Sequence, residues 1–167
     1  ELDKTGVTIA LQSLNPATLK AGRRKNIDNG KLEEFIAKND LQDLGSYIEL
    51  VMGLPEETLE SWVDGLCYLM EINQHTSVKT FPLAALPNTP IAEKEYGELY
   101  GIEYAQIYES NHTPYNPVAQ SGGWDIVIGT KSMPHDDWKM AYMFKWLVGG
   151  FHWLGITQFI SRYLRNI

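Results

Sequence analysis

One cysteine, Cys67, is the whole thiol complement of these 167 residues. A lone cysteine makes no internal disulfide, and no cysteine spacing of the metal-binding kind is present. Cys67 falls on the apolar side of a helix-like stretch, "SWVDGLCYLMEI", where a buried structural thiol is the expectation. The same scarcity suits a reducing compartment, so a cytoplasmic protein is expected. Positive charge is also short, 14 Lys and Arg against 21 Asp and Glu, for a net −7. The densest basic cluster, "KAGRRK" from Lys20 to Lys25, is too small for a polyanion site, and no nucleic-acid partner is expected. Four scattered histidines, His75, His112, His135 and His152, show no metal-ligand spacing. A long uninterrupted apolar run is missing too. The closest stretch, "MAYMFKWLVGGFHWLGITQFI" (140–160), contains Lys145, His152, Gln158 and a Gly149-Gly150 break. It reads as two packed helices with no membrane span. Nothing near Glu1 resembles a signal peptide, and the missing initiator methionine suggests a piece of a longer protein.

What is present is a core-forming apolar content of 44% with ordinary charge density, enough for one domain. "GVTIALQSL" predicts a buried strand over about 7–11, closed by Asn15-Pro16. "NPATLKAG" predicts a short helix with Asn15 as N-cap, Pro16 in its first position and Gly22 as its stop. "DNGKLEEFIAKNDL" follows as a second helix with Leu32, Phe35 and Ile36 on one face. "SYIELVMG" is the next strand. The strongest helix lies in "EETLESWVDGLCYLMEIN", where Leu59, Trp62, Val63, Leu66, Leu69 and Met70 recur at three- and four-residue intervals. Glu56 and Glu57 are expected in its exposed first turn, favouring the dipole. "SVKTFPLAALPNTPI" gives a strand near 77–83 and a Pro-rich loop, and "PIAEKEYGELYG" a short helix from about Ile91. Extended segments at 102–110 and 124–130 flank the non-periodic connector "HTPYNPVAQSGG". Two aromatic helices near 135–148 and 151–165 complete the chain.

The first hundred residues thus alternate strand and helix, with crossovers long enough for parallel pairing. In parallel α/β sheets the chemistry gathers at the carboxyl ends of the strands. Those ends are Gln12-Ser13, Gly53-Leu54-Pro55 and the loop from Phe81 to Asn88. Three strands cannot close a barrel, so the architecture is half a barrel or a small open sheet. Glu49, inside the run Ile48–Met52, poses the sharpest question. On composition alone it points to solvent, because a strand has two faces.

Taken together, "TIALQSLNPATLKAGRRKNI", "YIELVMGLPEETLESWVDGL" and "FPLAALPNTPI" resemble the C-terminal half of a radical S-adenosylmethionine (SAM) core domain. The resemblance is to the subgroup that often carries a cobalamin-binding domain, and the "QS…L…R" and "GLP..T" elements are similar to those of oxygen-independent coproporphyrinogen oxidases. It covers residues 6 to about 101 well and the aromatic tail more loosely. It implies a partial TIM-type barrel of parallel strands alternating with helices over 1–110, then a loop and mainly helical aromatic extension over 111–167.

The resemblance also implies roles. Glu49 turns inward, where a buried carboxylate needs hydrogen-bond partners from a ligand or basic neighbour. Gln12 is placed to donate to and accept from ribose hydroxyls, with Ser13 beside it as a local cap. Gly53, Leu54 and Pro55 border bound SAM, and Gly53 lets the backbone approach the adenine. Arg24, or its neighbour Arg23, pairs with the methionyl carboxylate. Asn88 reads as a turn residue.

The family's CxxxCxxC loop, whose thiolates hold a [4Fe–4S] cluster, does not occur in these residues, and Cys67 cannot replace a ligand set. The implied function is the SAM- and substrate-lining part of an enzyme that cleaves SAM reductively to a 5′-deoxyadenosyl radical. Cobalamin-dependent methyl transfer is a further chemistry of that subgroup. The missing N-terminal half of the same protein would be its partner. Two other classes stand beside this one: an α/β module binding a nucleotide-like ligand, and an interaction domain docking through its aromatic tail.

Overall fold

The computed structural model describes residues 7–41, 46–107 and 123–165. Strands β1 (Val7–Gln12), β2 (Ser46–Met52) and β3 (Ser77–Pro82) form a parallel sheet with β2 in the centre. Helices α1 (Pro16–Ala21) and α2 (Asn29–Leu41) connect β1 to β2, and α3 (Leu59–Glu71) connects β2 to β3. The alternation expected from the sequence is present. Helix α1 starts as its residues dictate: Asn15 Oδ1 accepts the Ala17 N–H at 2.9 Å, with Pro16 leading the first turn. It ends where the Gly22 N–H meets the Thr18 carbonyl at 2.9 Å.

Period-two alternation sorts β2 into two faces. Ile48, Leu50 and Met52 are buried, whereas Tyr47, Glu49 and Val51 are only half-buried. The buried face packs on Leu32 and Ile36 of α2 and on Trp62, Leu66 and Leu69 of α3. Each such aliphatic side chain contributes roughly 1.5–3 kcal/mol on leaving water. The core is thus one-sided. The opposite face carries Glu49 at its centre, in register with Ala10 of β1 and Lys79 of β3.

Beyond β3 come a 3-10 turn (Pro90–Ala92), α4 (Lys94–Tyr100) and an antiparallel pair, β4 (Glu103–Ile107) with β5 (Trp124–Gly129). Residues 83–85 stitch the two sheets together. The Leu83 N–H donates to the Met52 carbonyl (2.9 Å), Val127 N–H to Leu83 (2.8 Å) and Ala85 N–H to Asp125 (2.8 Å). The expected connector between β4 and β5 lies almost wholly outside the described residues.

Helix α5 (His135–Val148) buries Trp138, Ala141 and Val148. The sequence predicts a break at Gly149-Gly150, but the chain continues through a π-helical turn, Gly149–Trp153, before α6 (Gln158–Arg165). The Leu154 N–H reaches back five residues to the Gly149 carbonyl at 3.1 Å. Gly149 has ordinary right-handed helical angles (φ −57°, ψ −52°), neither glycine has a positive φ, and nothing beyond the helix's own backbone and chain neighbours lies within 4 Å of a Cβ built on either, so neither a left-handed backbone nor a close approach requires them. Inside it, His152 is buried against the loop ahead of β3. Among the described residues no helix is long and apolar enough to cross a membrane.

Candidate functional site

The loops following β1 and β2 meet at one buried carboxylate. Glu57 is 1% exposed. Its Oε2 accepts from the Ser13 hydroxyl, and its Oε1 accepts from the Ser61 hydroxyl at 2.5 Å. Around this centre the Asn15 N–H donates to Ser13 Oγ (2.9 Å), and Asn15 Nδ2 donates to the Glu56 carbonyl (2.9 Å) and Ser61 Oγ (3.1 Å). Asn26 Nδ2 donates to the Ser13 carbonyl at 2.8 Å. The two strand-end loops are therefore locked to each other through side chains.

This corrects the expectation for Glu56 and Glu57. Helix α3 begins at Leu59 behind an N-cap Thr58, whose side chain accepts from the Ser61 N–H in a reciprocal capping box. Both acids precede the cap. Glu56 is exposed, as expected, but in a left-handed conformation (φ 64°). That turn sends Glu57 inward. Thr58 and Ser61 at capping-box spacing were the available signal for the true helix start.

Gln12 ends β1 in a left-handed conformation (φ 68°), just after a register slip between Ala10 and Gln12. Leu11 is buried with the core, and across the slip Gln12 pairs in register with core-facing Leu50 and not with Glu49, so the alternation of β1 does not extend to its side chain. On the face of Glu49, Lys79 Nζ lies 4.0 Å from the Tyr47 ring centroid, a cation–π contact. Phe81 is exposed beside it. Among the described residues no carboxylate stands within ion-pair distance of Lys79. The uncovered sheet face thus presents a carboxylate, an ammonium and two aromatic rings.

Ser13 spends its hydroxyl on Glu57 and Asn15 and is 2% exposed, which makes it a loop-ordering residue in this fold. Gly53 has φ +93°, and an added Cβ would meet Val127 Cγ1 at 3.2 Å, the Val127 carbonyl at 3.3 Å and Trp138 Nε1 at 3.4 Å. Its glycine is required by the chain's own β5 and α5. Leu54 is half-buried and Pro55 buried, with the Leu54 carbonyl accepting the Glu57 N–H at 3.3 Å.

The two arginines part company. Arg24 Nη2 donates to the Ala10 carbonyl of edge strand β1 at 2.9 Å. Arg23, at φ 51°, instead lines a cavity of about 830 Å³ with Lys20, Glu56, Glu93, Tyr96 and Tyr100. Burial pushes the Tyr96 phenol up and Tyr100 adds to this, while Arg23 opposes them. Cys67 is half-buried and not fully buried as expected. Desolvation raises its thiol above the ordinary cysteine range, with Asp64 and Glu71 adding to the effect.

The structure also pairs two histidines that looked unrelated in sequence. His75 Nδ1 and His152 Nε2 lie 3.0 Å apart, both buried. Trp153 Nε1 donates to the Gln74 carbonyl at 3.3 Å and Gln158 Nε2 to the His75 carbonyl, tying the π-helical turn and α6 to one loop. No local pattern signals a contact across 77 residues.

Fold and site together describe a parallel α/β sheet with one face in the core and a half-buried opposite face that carries Glu49. The fold is that of a solved radical SAM enzyme: the methyltransferase TsrM from Kitasatospora setae, solved with cobalamin and a [4Fe–4S] cluster bound, superposes with a TM-score of 0.56 at 14% identity, covering 86% of this chain and 31% of that one. In sequence, the chain is 30% identical over 161 residues to the cobalamin-dependent radical SAM methyltransferase TokK of Streptomyces tokunonensis. It is 29% identical over 161 residues to the 2-(S-pantetheinyl)-carbapenam-3-carboxylate methyltransferase of Streptantibioticus cattleyicolor. Each match takes in 96% of this chain and 24% of the relative, so the chain spans about a quarter of the length of the curated relatives it matches. No family model matches the chain. Along nearly its whole length the chain is thus similar to a stretch of a cobalamin-dependent radical SAM methyltransferase and of a second methyltransferase, and the first of these belongs to the superfamily its strand-end motifs resemble.

Proposed function

We propose that these residues form the SAM- and substrate-lining half of a radical SAM partial barrel, within an enzyme that transfers a methyl group with the help of cobalamin. The observation that carries this reading is the uncovered face of the parallel sheet. Glu49 lies at its centre between Ala10 and Lys79, below the strand ends where Gln12 and Gly53 turn. Gln12 offers both donor and acceptor to ribose hydroxyls, and Glu49 accepts from a ligand's amine or hydroxyl. Arg24, next to Ala10, supplies a fork for the methionyl carboxylate. Locking of the two loops through Glu57 holds Gln12 and Gly53 in place before ligand arrives, which lowers the ordering cost of binding.

The residues do not fit an iron–sulfur cluster. Cys67 is the sole cysteine, a cluster needs a set of thiolates, and among the described residues no three His, Cys, Asp or Glu side chains gather as a metal site. Cluster binding is therefore assigned to the missing N-terminal half, which would extend the sheet along β1. Radical generation takes place there, and these residues bind, orient and shield.

The test is calorimetric titration of the longer protein with S-adenosylhomocysteine. Gln12→Ala and Glu49→Ala are each expected to weaken binding about tenfold, the loss of ~1.4 kcal/mol for one hydrogen-bonding side chain. Glu56→Ala is expected to change nothing. Binding as tight as the parent in both site variants refutes the assignment. A polypeptide lacking a cysteine triad upstream of Glu1 would instead favour the α/β module for a nucleotide-like ligand.

A further inference from the structure

Arg23 and Arg24 are neighbours in sequence that serve different places. Arg24 turns back to the Ala10 carbonyl of β1, while Arg23 lines the cavity of about 830 Å³ between α1 and α4. A volume of this order falls within the ~300–1,000 Å³ typical of small-molecule sites. The cavity walls come from beyond all three strand ends. Lys20 and Arg23 follow β1, the Glu56 turn follows β2, and Glu93, Tyr96 and Tyr100 follow β3. Gln12, Glu49 and Gly53 do not line it, so it is separate from the sheet face that carries Glu49.

The walls are fixed by bonds of their own. Asn15, the N-cap of α1, holds the Glu56 carbonyl through Nδ2 at 2.9 Å. On the α4 side, the Tyr104 hydroxyl donates to the Ile91 carbonyl and Lys131 Nζ to the Leu99 carbonyl, both at 2.6 Å. The charges on these walls do not satisfy one another. Among the described residues, Lys20 and Arg23 form no ion pair with a carboxylate, and Glu93 forms none with a cation. Between them stand the rings of Tyr96 and Tyr100, tilted against each other with centroids 4.8 Å apart. The Arg23 charge opposes the rise of the Tyr96 phenol, so the guanidinium reaches this aromatic wall.

Opposite charges that share a cavity without meeting leave room for a molecule carrying both. A bare anion would meet Glu93 and Glu56, and a bare cation would meet Lys20 and Arg23, so a ligand of one sign loses on one wall what it gains on another. The geometry points to this cavity as a binding site for a free amino acid with an apolar side chain. Its carboxylate takes the Arg23 fork with Lys20 as a second cation, its ammonium meets Glu93, and its side chain lies on the Tyr96–Tyr100 pair. The site does not depend on the radical SAM reading, because its walls all belong to this chain.

The test is calorimetric titration of the longer protein with L-phenylalanine, the anion N-acetyl-L-phenylalanine and the cation L-phenylalaninamide. Phenylalanine should bind, and each derivative of one sign should bind roughly tenfold more weakly or worse. Arg23→Gln should weaken phenylalanine and the N-acetyl compound roughly tenfold while sparing the amide. Glu93→Gln should weaken phenylalanine and the amide by a similar factor while sparing the N-acetyl compound. Both residues are exposed, so neither change threatens folding. No phenylalanine binding at millimolar concentration overturns the proposal, as does equal binding of the N-acetyl compound or parental affinity in either variant. Complete displacement of phenylalanine by S-adenosylhomocysteine puts both ligands in one site and overturns it too. A protein that binds S-adenosylhomocysteine but no phenylalanine loses only this cavity site. One that binds phenylalanine through Arg23 and Glu93 but no S-adenosylhomocysteine loses only the strand-end reading.

Discussion

Replacing Glu57 by alanine should cost far more stability than any other acidic residue near α3. The carboxylate is 1% exposed and accepts from two hydroxyls, Ser13 on one loop and Ser61 on the next. Hydrogen bonds to a charged group contribute about 1.5–3 kcal/mol each, and buried hydroxyls left without an acceptor add a desolvation penalty. Some of this is offset because the buried charge itself disappears, and water can enter the vacated space. The expected net loss is about 3–5 kcal/mol, a large share of the ~5–15 kcal/mol that holds a typical domain. Urea unfolding followed by circular dichroism measures it, with an unchanged slope confirming that stability alone moved. Should Glu57→Ala fail to fold, Glu57→Gln keeps the shape and one acceptor oxygen, with an expected loss of about 1–2 kcal/mol. A Ser13→Ala, Glu57→Ala cycle should show coupling of roughly 1–3 kcal/mol. If Glu57→Ala costs no more than the exposed control Glu60→Ala, within about 0.5 kcal/mol of zero, the inter-loop lock does not exist.

Tyr68 gives the pH dependence: burial, then its hydrogen bond to Glu33 at 3.0 Å, raises the phenol to about 12. The folded state keeps this proton where the unfolded chain releases it, so the stabilisation is complete below about pH 10 and lost as pH climbs toward 12. Tyr68→Phe should flatten the alkaline arm of a denaturation series, and an unchanged arm refutes the assignment. Gly53→Ala should destabilise by about 2–4 kcal/mol, from the left-handed backbone together with contacts to Val127 and Trp138; a loss within about 0.5 kcal/mol of zero argues that the turn is pliable. His152→Ala should speed hydrogen exchange across Gly149–Arg165 while leaving the amides of β2 protected. Equal exchange in both proteins means that the histidine pair is no anchor.

Much of the fold is dictated locally. Asn15-Pro16 can only open a helix, Gly22 closes it, and the three- and four-residue spacing from Leu59 to Met70 leaves α3 no other period. The alternation of strands and crossovers long enough for parallel pairing made the sheet legible, and the strand-end motifs placed Gln12 and Gly53 at its carboxyl ends. Tertiary packing decided the rest, because local periodicity reports which side of an element is apolar but not which distant atoms it will meet. Glu57 reads as a solvated acid until the Ser13 loop is folded beside it. Gly53 answers to Val127 and Trp138, more than seventy residues downstream. Arg24 finds the Ala10 carbonyl, and His75 finds His152, through the return of the chain alone. The outward face of α6, where Phe159, Ile160, Tyr163 and Leu164 are all exposed, is the same lesson reversed. Its amphipathic pattern is plain in the sequence, but the pattern says only that one side seeks apolar contact, and the fold decided that this side would point away from its own core.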